Sequence, residues 1–88
     1  MRAVVTVVGK DRTGIIARVS TLLYENGINI LDISQTVMSS DMFTMIMLVD
    51  MKSSSAGEMN EKLSALAEEM ELSIHLQNEE LFNSMHRI

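Results

Sequence analysis

Apolar positions in the first third of the chain follow two different periods. Residues 2–8 are rich in β-branched side chains and predict a central strand that is buried on both faces. Beyond a short polar loop, apolar side chains recur at the spacing of one helix face: Ile15, Ile16, Val19, Leu22 and Leu23. Asn26 and Gly27 end that helix, because glycine readily adopts the left-handed conformation found after a helix C-terminus.

Two further strands are predicted in the middle of the chain, joined by a polar turn at residues 39–41. The alternation within residues 28–39 slips in phase between Ile30 and Leu31, which predicts a β-bulge. Residues 42–51 are apolar nearly throughout. Such a strand is expected to be covered on both faces or to lie beside another chain.

The last third of the chain predicts a helix, a strand and a short final helix. Ser55 and Glu58 have the spacing of a capping box, and an apolar stripe follows them: Met59, Leu63, Leu66 and Met70. Residues 72–77 alternate as a half-buried strand with one wet face. Asn78 can cap the final helix, whose ends carry Glu79, Glu80, His86 and Arg87 and whose buried face would be Leu81, Phe82, Met85 and Ile88.

The predicted order is therefore βαββαβ with a terminal helix, in one domain over residues 1–88. This is an α+β, ferredoxin-like sandwich: a four-stranded antiparallel sheet with two helices on one face, plus a short C-terminal helix. The second strand lies at an edge of such a sheet, and its only charge is Asp32. An edge with so little charge favours pairing with another chain. We therefore expect a homodimer, formed either by edge pairing that continues the sheet or by face-to-face packing.

Composition excludes several classes of function. The chain has no cysteine, which removes disulfides and thiolate metal sites and is typical of a cytoplasmic protein. Seven basic residues stand against twelve acidic ones, with three aromatic residues, so we expect no nucleic-acid partner. No apolar run approaches the ~20 residues of a membrane helix, so we expect no membrane partner. The methionines are interpreted as core or interface residues, and no metal or cofactor is expected.

Other uses of this topology fit the residues poorly. A metal-carrier domain needs paired cysteines, and an RNA-binding domain needs aromatic residues on its central strands. An acylphosphatase-like hydrolase would need an arginine in the first loop and an asparagine on the third strand. Arg12 supplies the former, but residues 42–51 contain no asparagine. No nucleophile and base can be paired, so we expect no catalytic residue and no enzyme, with the hydrolase kept as an alternative.

Two motifs give the sequence a family resemblance. Asp11-Arg12-Thr13-Gly14-Ile15 follows the first strand, and Asn26-Gly27-Ile28-Asn29-Ile30 opens the second. Together they resemble the "D-R-x-G-I" and "N-G-x-N-I" segments of the ACT domain family, whose order of strands and helices is the same. The chain is similar to the free-standing, single-domain kind, related to the domains of the glycine cleavage repressor. The resemblance implies a regulatory module that binds a small molecule, an amino acid in many members, often at a side-by-side dimer interface.

The resemblance implies ligand contacts from Asp11, Gly14, Ile15, Ile16 and Asn29. The backbone N–H groups of the first helical turn suit a carboxylate, and Gly14 leaves room for close approach. Asp11 offers an acceptor to an ammonium group, and Asn29 offers both a donor and an acceptor.

A plain structural interpretation of the same residues stays open. Asp11 or Thr13 would then only cap the helix, and Asn29 would only belong to a turn. The corresponding function is a protein-interaction or oligomerisation module without a ligand. A regulatory module of one domain would act through a partner protein or through its own assembly.

Overall fold

The computed structural model describes residues 1–85 and confirms the predicted order of elements. The strands and helices are β1 (Arg2–Lys10), α1 (Ile15–Glu25), β2 (Asn29–Val37), β3 (Met42–Asp50), α2 (Ala56–Met70), β4 (Leu72–Asn78) and α3 (Glu79–Met85). Among these residues, no helix is long and apolar enough to cross a membrane.

The four strands form one antiparallel sheet in the order β2-β3-β1-β4. β1 is central, as its β-branched side chains predict, and β2 is an edge strand. The pairing of β2 with β3 jumps from Ile30 opposite Val49 to Asp32 opposite Leu48. Leu31 is therefore the extra residue of a bulge, which confirms the phase slip in the sequence.

The core lies between one face of the sheet and the helices α1 and α2. On α1 it contains Ile15, Val19 and Leu23, whereas Ile16 is 37% exposed. The predicted stripe of α2 is buried as a whole. Five methionines contribute to this core: Met45, Met47, Met51, Met59 and Met70. Unbranched thioether side chains suit this role because they adapt to irregular gaps between a sheet and its helices.

The helices leave the edge strand β2 largely uncovered. Met47 and Phe43 on β3 point into the core and are 0% and 4% exposed. Their partners on β2, Ile33 and Val37, point to the same side of the sheet but are 42% and 53% exposed. The helical layer therefore ends above β3, and one side of β2 borders an open space beside α1.

The final helix α3 lies against the opposite face of the sheet, where Phe82 adjoins Thr6, Ile46 and His75. Asn78 caps it as predicted, since its Oδ1 accepts a hydrogen bond from the backbone N–H of Glu80 at 2.8 Å. The prediction that Leu81 and Met85 are buried is wrong, because they are 52% and 62% exposed. One short helix covers only part of a sheet face, and only one of its sides contacts the sheet. The predictions for His86, Arg87 and Ile88 fall outside the described residues.

Candidate ligand site

The loop between β1 and α1 is tied to the turn between β2 and β3. The backbone N–H of Asp11 donates to the carbonyl of Asp41 at 2.8 Å. Asp41 itself is in the left-handed region, with φ 62°, where aspartate is tolerated better than most residues. This contact holds the end of β1 beside the turn between β2 and β3.

The helix α1 begins without a side-chain cap. Gly14 is its N-cap residue and has φ 90°, a conformation that glycine adopts without strain. Within residues 1–85, no side chain caps this helix start, and the first turn contains no acidic residue. Apart from Gly14 itself and its two chain neighbours, no atom of the described residues lies within 4 Å of a Cβ placed on Gly14. The first backbone N–H groups of α1 therefore face open space, which suits an anion.

An open cleft of about 490 Å³ lies between this helix start and the edge strand β2. Its lining residues are Asp11, Arg12, Gly14, Ile15, Ile16, Ala17, Gln35, Thr36, Val37 and Phe43. Four of the five residues implicated by the sequence motifs thus adjoin one cleft. They come together because the loop and the first turn of α1 are continuous in the chain.

The two charges at the mouth of this cleft are not neutralised by neighbouring side chains. Asp11 and Arg12 are both exposed, and within residues 1–85 neither forms an ion pair. An unpaired carboxylate beside unpaired N–H groups provides a partner for a cation and for an anion a short distance apart. A zwitterion matches that arrangement.

Asn29 lies elsewhere in a single chain. It pairs with Asp50, which in turn pairs with Arg2 at the start of β1. The cleft lies at the level of Phe43, seven residues along β3 from Asp50, which corresponds to about 23 Å. The expectation that Asn29 lies beside Asp11 therefore fails within one chain, because α1 carries the chain from one end of the sheet to the other before β2 begins.

The contribution of β2 to the cleft was not predicted from the sequence. Gln35 and Val37 face the helix side of the sheet, and Phe43 forms the buried floor. The alternation of β2 indicates which residues share a face. It does not indicate that the helical layer stops short of them.

A second groove, of about 350 Å³, runs between α1 and α2. Arg18 forms an ion pair with Glu69 across it, and Lys62 donates to Asn26 Oδ1 at 2.5 Å. These charged and polar groups already have partners, which distinguishes the groove from the cleft. No cluster of potential metal ligands occurs within the described residues 1–85.

Known proteins resemble this chain in sequence and in fold. A family model described as an ACT domain matches residues 2–77. The UPF0237 protein lin0537 of Listeria innocua is 47% identical over 90 residues, which cover 100% of both chains. The solved structure of an ACT domain protein from Streptococcus pneumoniae is 37% identical, covers 93% of each chain and superposes with a TM-score of 0.82. A structure described as a glycine cleavage system transcriptional repressor is 29% identical over 86% of this chain and 44% of its own, with a TM-score of 0.77.

Proposed function

The chain belongs to the ACT domain family, and on that premise we propose that it is a non-enzymatic regulatory module that binds a free amino acid. The observation that carries the proposal is the uncapped start of α1 beside the unpaired carboxylate of Asp11. The module acts through a partner protein or through its own oligomerisation. A cytoplasmic location, expected from the lack of cysteine, is part of the same proposal.

The ligand carboxylate would accept hydrogen bonds from the backbone N–H groups of Ile15 and Ile16. The positive end of the helix dipole supports an anion there, and Gly14 has no side chain to obstruct it. The ligand ammonium would lie beside Asp11, which is exposed at the mouth of the cleft. Each charged group of the amino acid then has one partner on the same loop and helix.

Asn29 joins this site only through a second copy of the chain. β2 pairs with β3 on one side, and no strand within residues 1–85 pairs with its other edge. Antiparallel pairing of two such edges brings the start of one strand to the end of the other. Asn29 of each copy would then approach the cleft of its partner. The exposed side chain of Ile33, which is outside the cleft, would lose water in the same contact, which favours the dimer.

Two measurements on the wild-type chain test this proposal. A thermal-shift screen of the twenty amino acids identifies any ligand that binds the native state, because such a ligand raises the melting temperature. Light scattering gives the mass, for which we expect twice the 9.8 kDa of one chain. A dimer without any amino-acid ligand would favour the interaction module instead, and a monomer would remove Asn29 from the site.

The variant Asn29→Ala then tests the shared site. Loss of a hydrogen bond to a charged ligand group costs roughly 1.5–3 kcal/mol, or about ten- to a hundredfold in the dissociation constant. The matched control is Asn60→Ala, since Asn60 is an exposed asparagine on α2, outside the cleft. Calorimetry with the amino acid selected by the screen should show weaker binding for Asn29→Ala alone. Equal dissociation constants for the two variants would contradict the shared site.

A further inference from the structure

We infer that the amino acid taken by the cleft has an uncharged aliphatic side chain and that Ile16 and Val37 select it. The inference rests on the proposed function, because it assigns a ligand class to the same cleft. It concerns the part of the cleft that the amino and carboxyl groups of the ligand do not occupy.

The walls of this remaining part of the cleft are apolar and exposed to solvent. Ile16 on α1 is 37% exposed, and Val37 on β2 is 53% exposed. Phe43, which is 4% exposed, closes the floor between them. A ligand side chain between α1 and β2 would cover both exposed surfaces, and removing apolar surface from water favours binding.

The charged residues of the cleft lie on one side only. Asp11 and Arg12 are on the loop, whereas β2 directs only the neutral side chains of Gln35 and Val37 towards the cleft. A charged ligand side chain directed towards β2 would lose water without gaining an opposite charge, which weakens binding. An acidic side chain that bends back to Arg12, or an amide that pairs with Gln35, is the rival arrangement.

Dissociation constants for alanine, valine and isoleucine measure how strongly the cleft prefers a larger aliphatic side chain. Each fully covered methylene strengthens binding about fourfold. Isoleucine has three more carbon atoms than alanine, and an open cleft covers roughly half of its side chain. We therefore expect isoleucine to bind roughly tenfold more tightly than alanine, with valine between them.

The first experiment is calorimetry of the wild-type chain with alanine, valine, isoleucine, aspartate, lysine and glutamine. Binding that strengthens from alanine to isoleucine, with the weakest binding for aspartate and lysine, supports the inference. Tighter binding of aspartate or glutamine than of isoleucine overturns the inference but leaves the proposed function intact. No binding of any amino acid overturns both.

The second experiment changes the walls. Val37→Thr keeps the shape of the side chain but adds a hydroxyl, and Ile16→Ala shortens the opposite wall. Each should lower the preference for isoleucine over alanine about threefold, because part of the apolar cover is lost. The matched control is Ile46→Thr, since Ile46 is 40% exposed on the other face of the sheet.

The readout that separates selection from a structural effect is the ratio of the two affinities. A variant that only perturbs the fold or the dimer weakens alanine and isoleucine equally and leaves their ratio unchanged. Such a result for both wall variants, with an unchanged mass by light scattering, would contradict a selecting role for Ile16 and Val37.

Discussion

The two long helices of this fold begin in opposite ways. At the start of α2, Ser55 is extended and its Oγ accepts a hydrogen bond from the backbone N–H of Glu58 at 3.4 Å. Glu58 also places a carboxylate in the first turn. At the start of α1, Gly14 has no side chain to act as a cap, and the first turn has no acidic residue. The start of α2 has a side-chain acceptor for one of its N–H groups, whereas the start of α1 leaves its N–H groups to solvent or to a ligand.

This difference separates a capped helix start from the one at which we propose that a ligand binds. Capping by Ser or Thr stabilises a helix by about 1 kcal/mol, and an acidic residue in the first turn adds a few tenths. The sequence provides both for α2 and neither for α1, although the helices pack on the same sheet. The missing stabilisation of α1 coincides with the cleft, where an external carboxylate would supply the same interactions.

The largest expected effect comes from a side chain at Gly14. Gly14→Val should lower the free energy of unfolding by about 2 kcal/mol, because a β-branched residue is strained at positive φ. It should also abolish amino-acid binding, since the added methyl groups occupy the open space before the helix. The matched variant is Gly57→Val, at a helical position of α2 without positive φ. Urea denaturation should show a change below about 0.5 kcal/mol there, and similar losses at both sites would contradict the contrast.

Removing the cap of α2 should have the next largest effect. Ser55→Ala should cost about 1 kcal/mol in the free energy of unfolding, because the N–H of Glu58 loses its acceptor. Ligand affinity should not change, because Ser55 is outside the cleft. Ser53→Ala, at an exposed serine of the same segment, serves as the control. Weaker ligand binding by Ser55→Ala would show that the two helix starts are not independent.

Introducing into α1 an acidic residue equivalent to Glu58 of α2 tests the difference between the two helix starts directly. Ala17 has the same position in α1 that Glu58 has in α2, three residues after the N-cap. Ala17→Glu should stabilise the fold by about 0.5 kcal/mol. It should weaken ligand binding as well, because the new carboxylate competes for the same N–H groups. Ala17→Gln has the same size without the charge and should leave binding nearly unchanged; equal effects of the two variants would exclude competition by charge.

The smallest expected effect on stability concerns the turn after β3, where the carboxylate of Asp50 accepts a hydrogen bond from the backbone. The backbone N–H of Lys52 donates to Asp50 Oδ1 at 3.0 Å, and this bond lowers the pKa of Asp50 from its ordinary value of 3.8. Because the folded pKa is lowered, Asp50 stabilises the fold at higher pH, and that contribution is lost as the pH falls through the lowered pKa. An NMR titration should find the pKa below 3.8, and Asp50→Asn should remove this acid dependence. A pKa at or above 3.8 would contradict the bond.

Local features of the fold could be predicted from the sequence because each depends on a few neighbouring residues. The spacing of Ser55 and Glu58 predicted the cap of α2, and the phase slip at Leu31 predicted the bulge. The separation of Asn29 from Asp11 was missed because two motifs in a sequence do not show how far apart the intervening helix places them. An α-helix of eleven residues spans about 16 Å, so α1 carries the chain well away from the loop before β2 begins.

The cleft itself was harder to predict, because it arises from what the helices do not cover. Val37 and Phe43 look alike in an alternating pattern, yet one is exposed and the other buried. Their difference depends on how far the helical layer extends across the sheet. That extent is a property of helix packing between distant segments, and no short sequence pattern records it.

The buried methionines allow local opening of the core to be measured by oxidation. Peroxide converts an accessible thioether to a sulfoxide, so the exposed Met1, Met38, Met42 and Met85 should react first. The buried Met45, Met47, Met51, Met59 and Met70 can react only while the core is open. Peptide mass spectrometry after timed exposure would therefore compare the populations of open states at five separate points of one small core, without any substitution in the chain.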